Sequence, residues 1–67
     1  MRIKVNGQIT EIPVPFSVSN LFDFLKVVPE RVAVEVNLNI VDRKMIDQVF
    51  LNEGDTVEII GFVGGGT

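Results

Sequence analysis

The chain has 67 residues, 46% of them hydrophobic and 22% charged, a composition that is globular rather than disordered and fits one small domain. It contains neither cysteine nor histidine, which excludes disulfides and thiolate nucleophiles, removes the commonest metal ligands and argues against an enzyme. The formal net charge is −3 and the six basic residues are scattered among acidic ones, so a nucleic-acid-binding patch is not expected.

The segment RIKVNGQITEI predicts a β-hairpin. Charged and β-branched residues alternate through its first strand, and Asn6-Gly7 is the pair most favoured in a two-residue hairpin loop. The second strand alternates less well, because Ile9 and Ile12 are out of phase, and Pro13 then ends the ladder. A bulge or an edge position would explain both features.

The segment SVSNLFDFLKVV predicts a short amphipathic helix that is ended by Pro29. Ser17, Ser19 or Asn20 can cap its N-terminus. Phe22 lies off the apolar stripe and is expected to pack on a neighbouring loop or to remain partly exposed. The spacing i, i+3, i+4, i+7 predicts that the core-facing residues are Leu21, Phe24, Leu25 and Val28.

Residues 31–36, RVAVEV, predict a half-buried strand with its alternate valines on the core face. Residues 37–39 are expected to turn, and residues 52–55, NEGD, to form a second turn. Between these turns, residues 42–49 favour a single helical turn capped by Asp42. Its inward-facing residues would be Met45, Ile46 and Val49.

The segment TVEIIGFV predicts the last strand. If Glu58 faces water, Val57 and Ile59 face the core. Ile60 and Phe62 then share the outward face with Glu58. Large apolar side chains on an open face indicate a docking surface, although scattered surface hydrophobicity is the alternative.

This order of elements predicts an α+β fold, with one main helix packed on a mixed sheet of four to five strands in the β-grasp arrangement. The last strand is expected to lie centrally, beside the first strand and parallel to it. Residues 1–63 would form the domain and residues 64–67 a flexible glycine-rich tail. The tail would then leave from the end of a rigid central strand.

Three glycines at the end of the chain, Gly64, Gly65 and Gly66, have little to contribute to a core. Glycine backbone fits a narrow tunnel, and three extended residues reach about 10 Å, enough to carry a terminal carboxylate into a neighbouring protein's pocket. Because the chain lacks cysteine, any sulfur it carried would reside on the C-terminal carbonyl as a thiocarboxylate. A frayed or linker-like end is the alternative.

The first residues, MRIKVNGQIT, lack the apolar core of a signal peptide, and no apolar run approaches membrane-spanning length. We therefore expect a cytoplasmic protein that is monomeric when free and has neither nucleic-acid nor membrane partners. Its acidity favours a partner with a basic surface. Capping and turn chemistry explain the carboxylates at positions 42, 47, 53 and 55, so no metal site is expected.

The segments VAVEVNLNIV and LNEGDTVEIIGFVGGG resemble the ThiS family, the sulfur carriers of thiamin biosynthesis, which are small ubiquitin-like β-grasp domains. The resemblance implies that an E1-like adenylating enzyme activates the carboxylate of Gly66 with ATP and magnesium. A cysteine desulfurase or sulfurtransferase would then supply sulfur for a thiocarboxylate, which thiazole synthase would use. The chain itself would bind no cofactor and would not be an enzyme.

The resemblance also assigns roles along the last strand and tail. Ile60, Phe62 and Val63 would dock on partners, and residues 64–66 would thread partner sites. Thr67 departs from the pattern, since the thiamin carriers normally end on the last glycine. Either Thr67 is removed before activation, which is the hypothesis adopted for Gly66, or it is not part of the natural chain, or the chain is not competent for activation as written.

Two further departures lie in turns. Leu38 stands where a glycine often follows the asparagine, and Asp42 stands where the family often has proline. Both bear on the shape of the loops more than on function.

Two other readings remain open. The first is a sulfur carrier for another pathway, such as molybdopterin or cysteine synthesis. The second is a β-grasp binding module or a ubiquitin-like modifier, because one fold serves many functions.

Overall fold

The computed structural model describes residues 1–61. The predicted roles of Phe62, Val63, the three tail glycines and Thr67 therefore lie outside the described residues. Within residues 1–61, no helix is long and apolar enough to cross a membrane. The described part contains one α-helix, α1 (Val18–Leu25), and five strands, β1 (Arg2–Val5), β2 (Gln8–Glu11), β3 (Val32–Val36), β4 (Asn39–Ile40) and β5 (Thr56–Gly61).

These five strands form one mixed sheet in the order β2-β1-β5-β3-β4. β5 is the central strand: it pairs in parallel with β1, where Lys4 lies opposite Thr56, and antiparallel with β3. The sheet buries Val34 and Val57 in the core. The predicted central position of the last strand, parallel to the first, is confirmed.

The opening hairpin forms as predicted, and β2 takes the edge position. Asn6 and Gly7 both have positive φ, 48° and 85°, as a two-residue primed turn requires. β1 and β2 pair in continuous register from Arg2 to Val5, so no bulge is needed. Ile9 pairs with Lys4 on the open face, whereas Ile12 reaches the core after the strand has ended, which explains why the two isoleucines are out of phase.

Helix α1 begins at a capping box. The Asn20 N–H donates to the Ser17 hydroxyl and the Ser17 N–H donates to the Asn20 side-chain oxygen, both at 3.0 Å. These two bonds satisfy donors that the first turn of a helix leaves free. The predicted end at Pro29 is wrong: the helix ends at Leu25, because Lys26 adopts a left-handed conformation with φ 59°.

The predicted core stripe of α1 is wrong in phase. Phe24 and Val28 are 53% and 51% exposed, whereas Phe22 is only 3% exposed. The spacing i, i+3, i+4, i+7 does hold, but it starts at Val18, the first helical residue, and not at Leu21. Val28 lies beyond the end of the helix. The residues that pack inward are Val18, Leu21, Phe22 and Leu25.

A tight turn joins β3 to β4. Asn37 and Leu38 have φ of 52° and 72°, so both take the left-handed conformation that a two-residue primed turn requires. A glycine adopts this conformation without the steric cost that a leucine side chain incurs. The position that departs from the family pattern is therefore one where glycine is conformationally favoured.

The segment after β4 forms a 3₁₀ turn, Arg43–Met45, and the Asp42 carboxylate accepts the Lys44 N–H at 3.0 Å. The predicted cap is confirmed. Ile46 packs against the core, but Met45 is 43% exposed. The inward assignment of Met45 is wrong because adjacent residues of a 3₁₀ turn point about 120° apart, so Met45 and Ile46 cannot both face the core.

Candidate docking face and tail exit

The open face of the sheet, on the side away from α1, carries exposed isoleucines. Ile60 lies on β5 directly opposite Ala33 of β3 and is 50% exposed. Ile9 on β2 and Ile40 on β4 are 61% and 75% exposed. Of these three isoleucines, only Ile60 is assigned to this face by the sequence, because assigning Ile9 and Ile40 requires the strand register. The docking role of Ile60 stays a prediction.

Hydrogen bonds from the first hairpin hold β5 in place. The Asn6 N–H donates to the Val57 carbonyl at 2.9 Å, and the Asn6 side-chain oxygen accepts the Ile59 N–H at 2.7 Å. Asn6 thus extends the parallel ladder beyond the last residue of β1. On the other side, β3 pairs with β5 as far as Gly61. β5 is therefore held as far as Ile59 on the side of β1 and as far as Gly61 on the side of β3.

A buried carboxylate fixes the start of β5. Asp55 is 9% exposed and accepts the Asn52 N–H at 2.7 Å and the Asn37 side-chain amide at 3.0 Å. The Asn37 side-chain oxygen in turn accepts the Thr56 N–H at 2.9 Å. This network ties the turn before β5 to the turn after β3. Asp55 therefore has the turn role that the sequence predicts.

A second carboxylate also has a structural role: Glu53 accepts the Arg2 N–H at 2.9 Å. In the part of the chain that the structure describes, no group of three or more acidic side chains is arranged to hold a metal ion. The carboxylates near β5 thus organise the turns that support this strand.

A cavity of ≈ 280 Å³ lies at the edge of β3 that faces β4, and its lining includes Phe22 of α1, Val34 of β3 and Ile40 of β4. The Arg43 guanidinium closes part of this edge by donating to the Pro29 carbonyl at 3.1 Å and to the Val32 carbonyl at 3.3 Å. Carbonyls at a sheet edge otherwise invite pairing with another strand. Pro29 precedes the sheet, but Val32 is the first residue of β3 and lies where the short strand β4 does not pair with it, so the bond from Arg43 covers a free carbonyl there.

The three glycines of the tail follow the central strand β5 in the sequence. Five residues lead from Gly61 to Gly66, so the last glycine lies within about 17 Å of the end of β5. The tail residues lie outside the described part of the structure.

One helix packed on a five-stranded mixed sheet of this order is the ubiquitin-like β-grasp fold. The crystal structure of the thiamine biosynthesis protein (ThiS) from Geobacter metallireducens superposes with a TM-score of 0.83 at 32% identity, over 92% of this chain and 94% of that chain. The sequence model of the ThiS family matches residues 3–66. The chain belongs to the ThiS family.

Two curated relatives differ in length. A protein named thiazole synthase, from Paramagnetospirillum magneticum, is 39% identical over 67 residues, which are 100% of this chain and 21% of the relative. The chain thus spans about a fifth of that protein. The uncharacterized protein ycf40 from Porphyra purpurea is 34% identical over 64 residues, which are 96% of this chain and 90% of the relative.

Proposed function

We propose that this chain is a sulfur carrier, used as a co-substrate by partner enzymes in forming the thiazole of thiamin. Its reactive group is the carboxylate of Gly66, exposed by removal of Thr67 and of any residues that follow it. The observation that carries this proposal is the family match, which runs through the whole domain and stops at Gly66.

The activation chemistry belongs to an E1-like adenylating enzyme that binds ATP and magnesium. The Gly66 carboxylate attacks the α-phosphorus of ATP, pyrophosphate leaves, and an acyl adenylate forms. The terminal sulfur of a persulfide, supplied by a cysteine desulfurase or sulfurtransferase, then attacks the carbonyl carbon and expels AMP. A thiol cleaves the resulting acyl disulfide, which leaves the thiocarboxylate on Gly66 and a disulfide on the donor side.

The composition of the chain supports assigning the activation chemistry to the partner enzyme. Because the chain has neither cysteine nor histidine, it offers no side chain suited to carry sulfur or to shuttle protons near neutral pH. The glycine tail instead lets a partner's pocket close around the backbone. The central position of β5 supports the proposal, since a rigid strand fixes where the tail starts.

Thiazole synthase is the proposed acceptor of the sulfur. A region 39% identical to this whole chain forms part of a protein named thiazole synthase, which favours a working link between the two activities. Covalent joining of a carrier to its acceptor would raise the effective concentration of one for the other.

Activation is tested by ATP–pyrophosphate exchange with the adenylating enzyme encoded in the source genome. We expect exchange with a chain that ends at Gly66 and none with a matched chain that retains Thr67. A Gly65→Val variant of the shorter chain should also fail, because its side chain would not fit a tunnel shaped for glycine. Exchange that fails with every chain would favour a β-grasp binding module, whereas exchange that survives Gly65→Val would contradict a tunnel shaped for glycine.

A further inference from the structure

Two glutamates face each other at the centre of the open sheet face. The register of β3 and β5 places Glu35 directly opposite Glu58, and that of β3 and β4 places Ile40 on the other side of Glu35. Both glutamates are half-buried. Residues paired in this way share a face, with their Cβ atoms about 5 Å apart. The row across three strands is therefore isoleucine, glutamate, glutamate.

Like charges directly opposite each other destabilise a sheet. All six lysines and arginines of the chain lie within residues 1–61. In this described part, the ion pair that forms joins Arg2 to Glu11, and neither Glu35 nor Glu58 is paired with a cation. The nearest cation by register is Lys4, which lies opposite Thr56 and hence diagonal to Glu58. Binding of a partner molecule would explain why this unfavourable pair of charges lies at the centre of an exposed face.

The surroundings of the pair indicate the chemistry of its partner. Ile40 lies beside the pair, and Ile60 follows Glu58 by two residues on the same face; both isoleucines are at least half exposed. A guanidinium is planar, presents five donors and is weakly hydrated, so it can bridge two carboxylates while apolar contacts surround it. Arginine is also enriched in protein interfaces, whereas lysine is depleted.

We propose that Glu35 and Glu58, flanked by Ile40 and Ile60, bind an arginine side chain on the surface of the adenylating enzyme. This inference rests on the proposed function, because it names the partner that activates Gly66. Gly66 lies eight positions after Glu58, so the backbone at Glu58 lies within about 27 Å of the pocket that receives the tail, and the arginine must lie near that distance. The acidic pair thus selects a partner, and the glycine tail reaches its active site.

The test measures the dependence of ATP–pyrophosphate exchange on carrier concentration, using chains that end at Gly66. The double variant Glu35→Gln/Glu58→Gln removes both charges and keeps the shape of the side chains. We expect its KM for the enzyme to rise roughly tenfold or more while kcat changes little, and the salt dependence of KM to weaken. The matched control is Asp23→Asn/Glu30→Gln, which changes the net charge equally at two exposed sites off the sheet. Its KM should match that of the wild type.

A second variant separates docking from folding. Glu58→Lys places opposite charges across the strands, so its midpoint of urea unfolding should exceed that of the wild type while its KM rises. Exchange that is equally efficient with the double glutamine variant and the control would overturn the docking proposal and leave the proposed function intact. A wild-type chain ending at Gly66 that supports no exchange would overturn the proposed function, and this proposal with it.

Discussion

Replacing each of two nearby phenylalanines in α1 tests the packing of the domain directly. Phe22 is 3% exposed and lies in the core cluster, so Phe22→Ala removes a buried ring and should cost about 3–5 kcal/mol of unfolding free energy. Phe24 is 53% exposed, and its ring meets that of Phe16 edge to face at 6.0 Å between centroids. Loss of this contact in Phe24→Ala should cost about 1 kcal/mol.

The difference matters because a domain of this size has only about 3–10 kcal/mol of stability in total. Urea unfolding followed by far-UV circular dichroism measures both variants, with the m-value as a check that the unfolding remains two-state. Since Phe22→Ala can leave the domain largely unfolded, Phe22→Leu and Phe24→Leu form a milder pair with the same expected order, and the cost at position 22 is about 1–2 kcal/mol. A larger loss at position 24 than at position 22 in both pairs would refute the described orientation of the helix.

Three further changes test the turns and caps by the same urea assay. Asp55→Ala should lower the free energy of unfolding by about 2 kcal/mol, because two donors lose a charged acceptor. The control is Asp47→Ala, at an exposed position, and an equal loss of stability in both variants would contradict the hydrogen-bond network around Asp55. Leu38→Gly should raise the free energy of unfolding by about 0.5–1 kcal/mol, since φ there is 72°, and a lower free energy of unfolding would count against the left-handed turn. Ser17→Ala should cost about 1 kcal/mol through loss of the cap, whereas Ser19→Ala should be nearly neutral.

Local signals in the sequence are sufficient for most of the fold. Asn6-Gly7 indicates the first hairpin, and the alternation around Glu58 correctly assigns Val57 to the core and Ile60 to the open face. The phase of α1 was missed because two stripes with the same spacing overlap in SVSNLFDFLKVV. Only the capping box at Ser17, which starts the helix at Val18, distinguishes them. A helical stripe is therefore best counted from its cap.

Features that depend on strand register are not readable from the chain alone. Glu35 and Glu58 lie 23 positions apart in the sequence, and their pairing follows only from the alignment of β3 with β5. Ile40 joins them through a strand of just two residues. The role proposed for the terminal glycines, in contrast, is suggested by their residue type and their position in the sequence, without any knowledge of the strand register.

Contacts from three parts of the chain hold β5 at the centre of the sheet. β5 is held on one side by Asn6 and on the other by β3, and Asp55 fixes the turn from which it starts. Under the proposed function, a partner that binds the open face of the sheet would also receive the tail that follows β5.

The central claim is that Gly66 carries sulfur, and intact-protein mass spectrometry of the untagged chain, expressed in its own host, tests it most directly. The account predicts a chain that ends at Gly66, with one oxygen of the terminal carboxylate replaced by sulfur. A chain that still carries Thr67 and no sulfur, even after incubation with the adenylating enzyme, ATP, magnesium and a persulfide donor, would contradict the account.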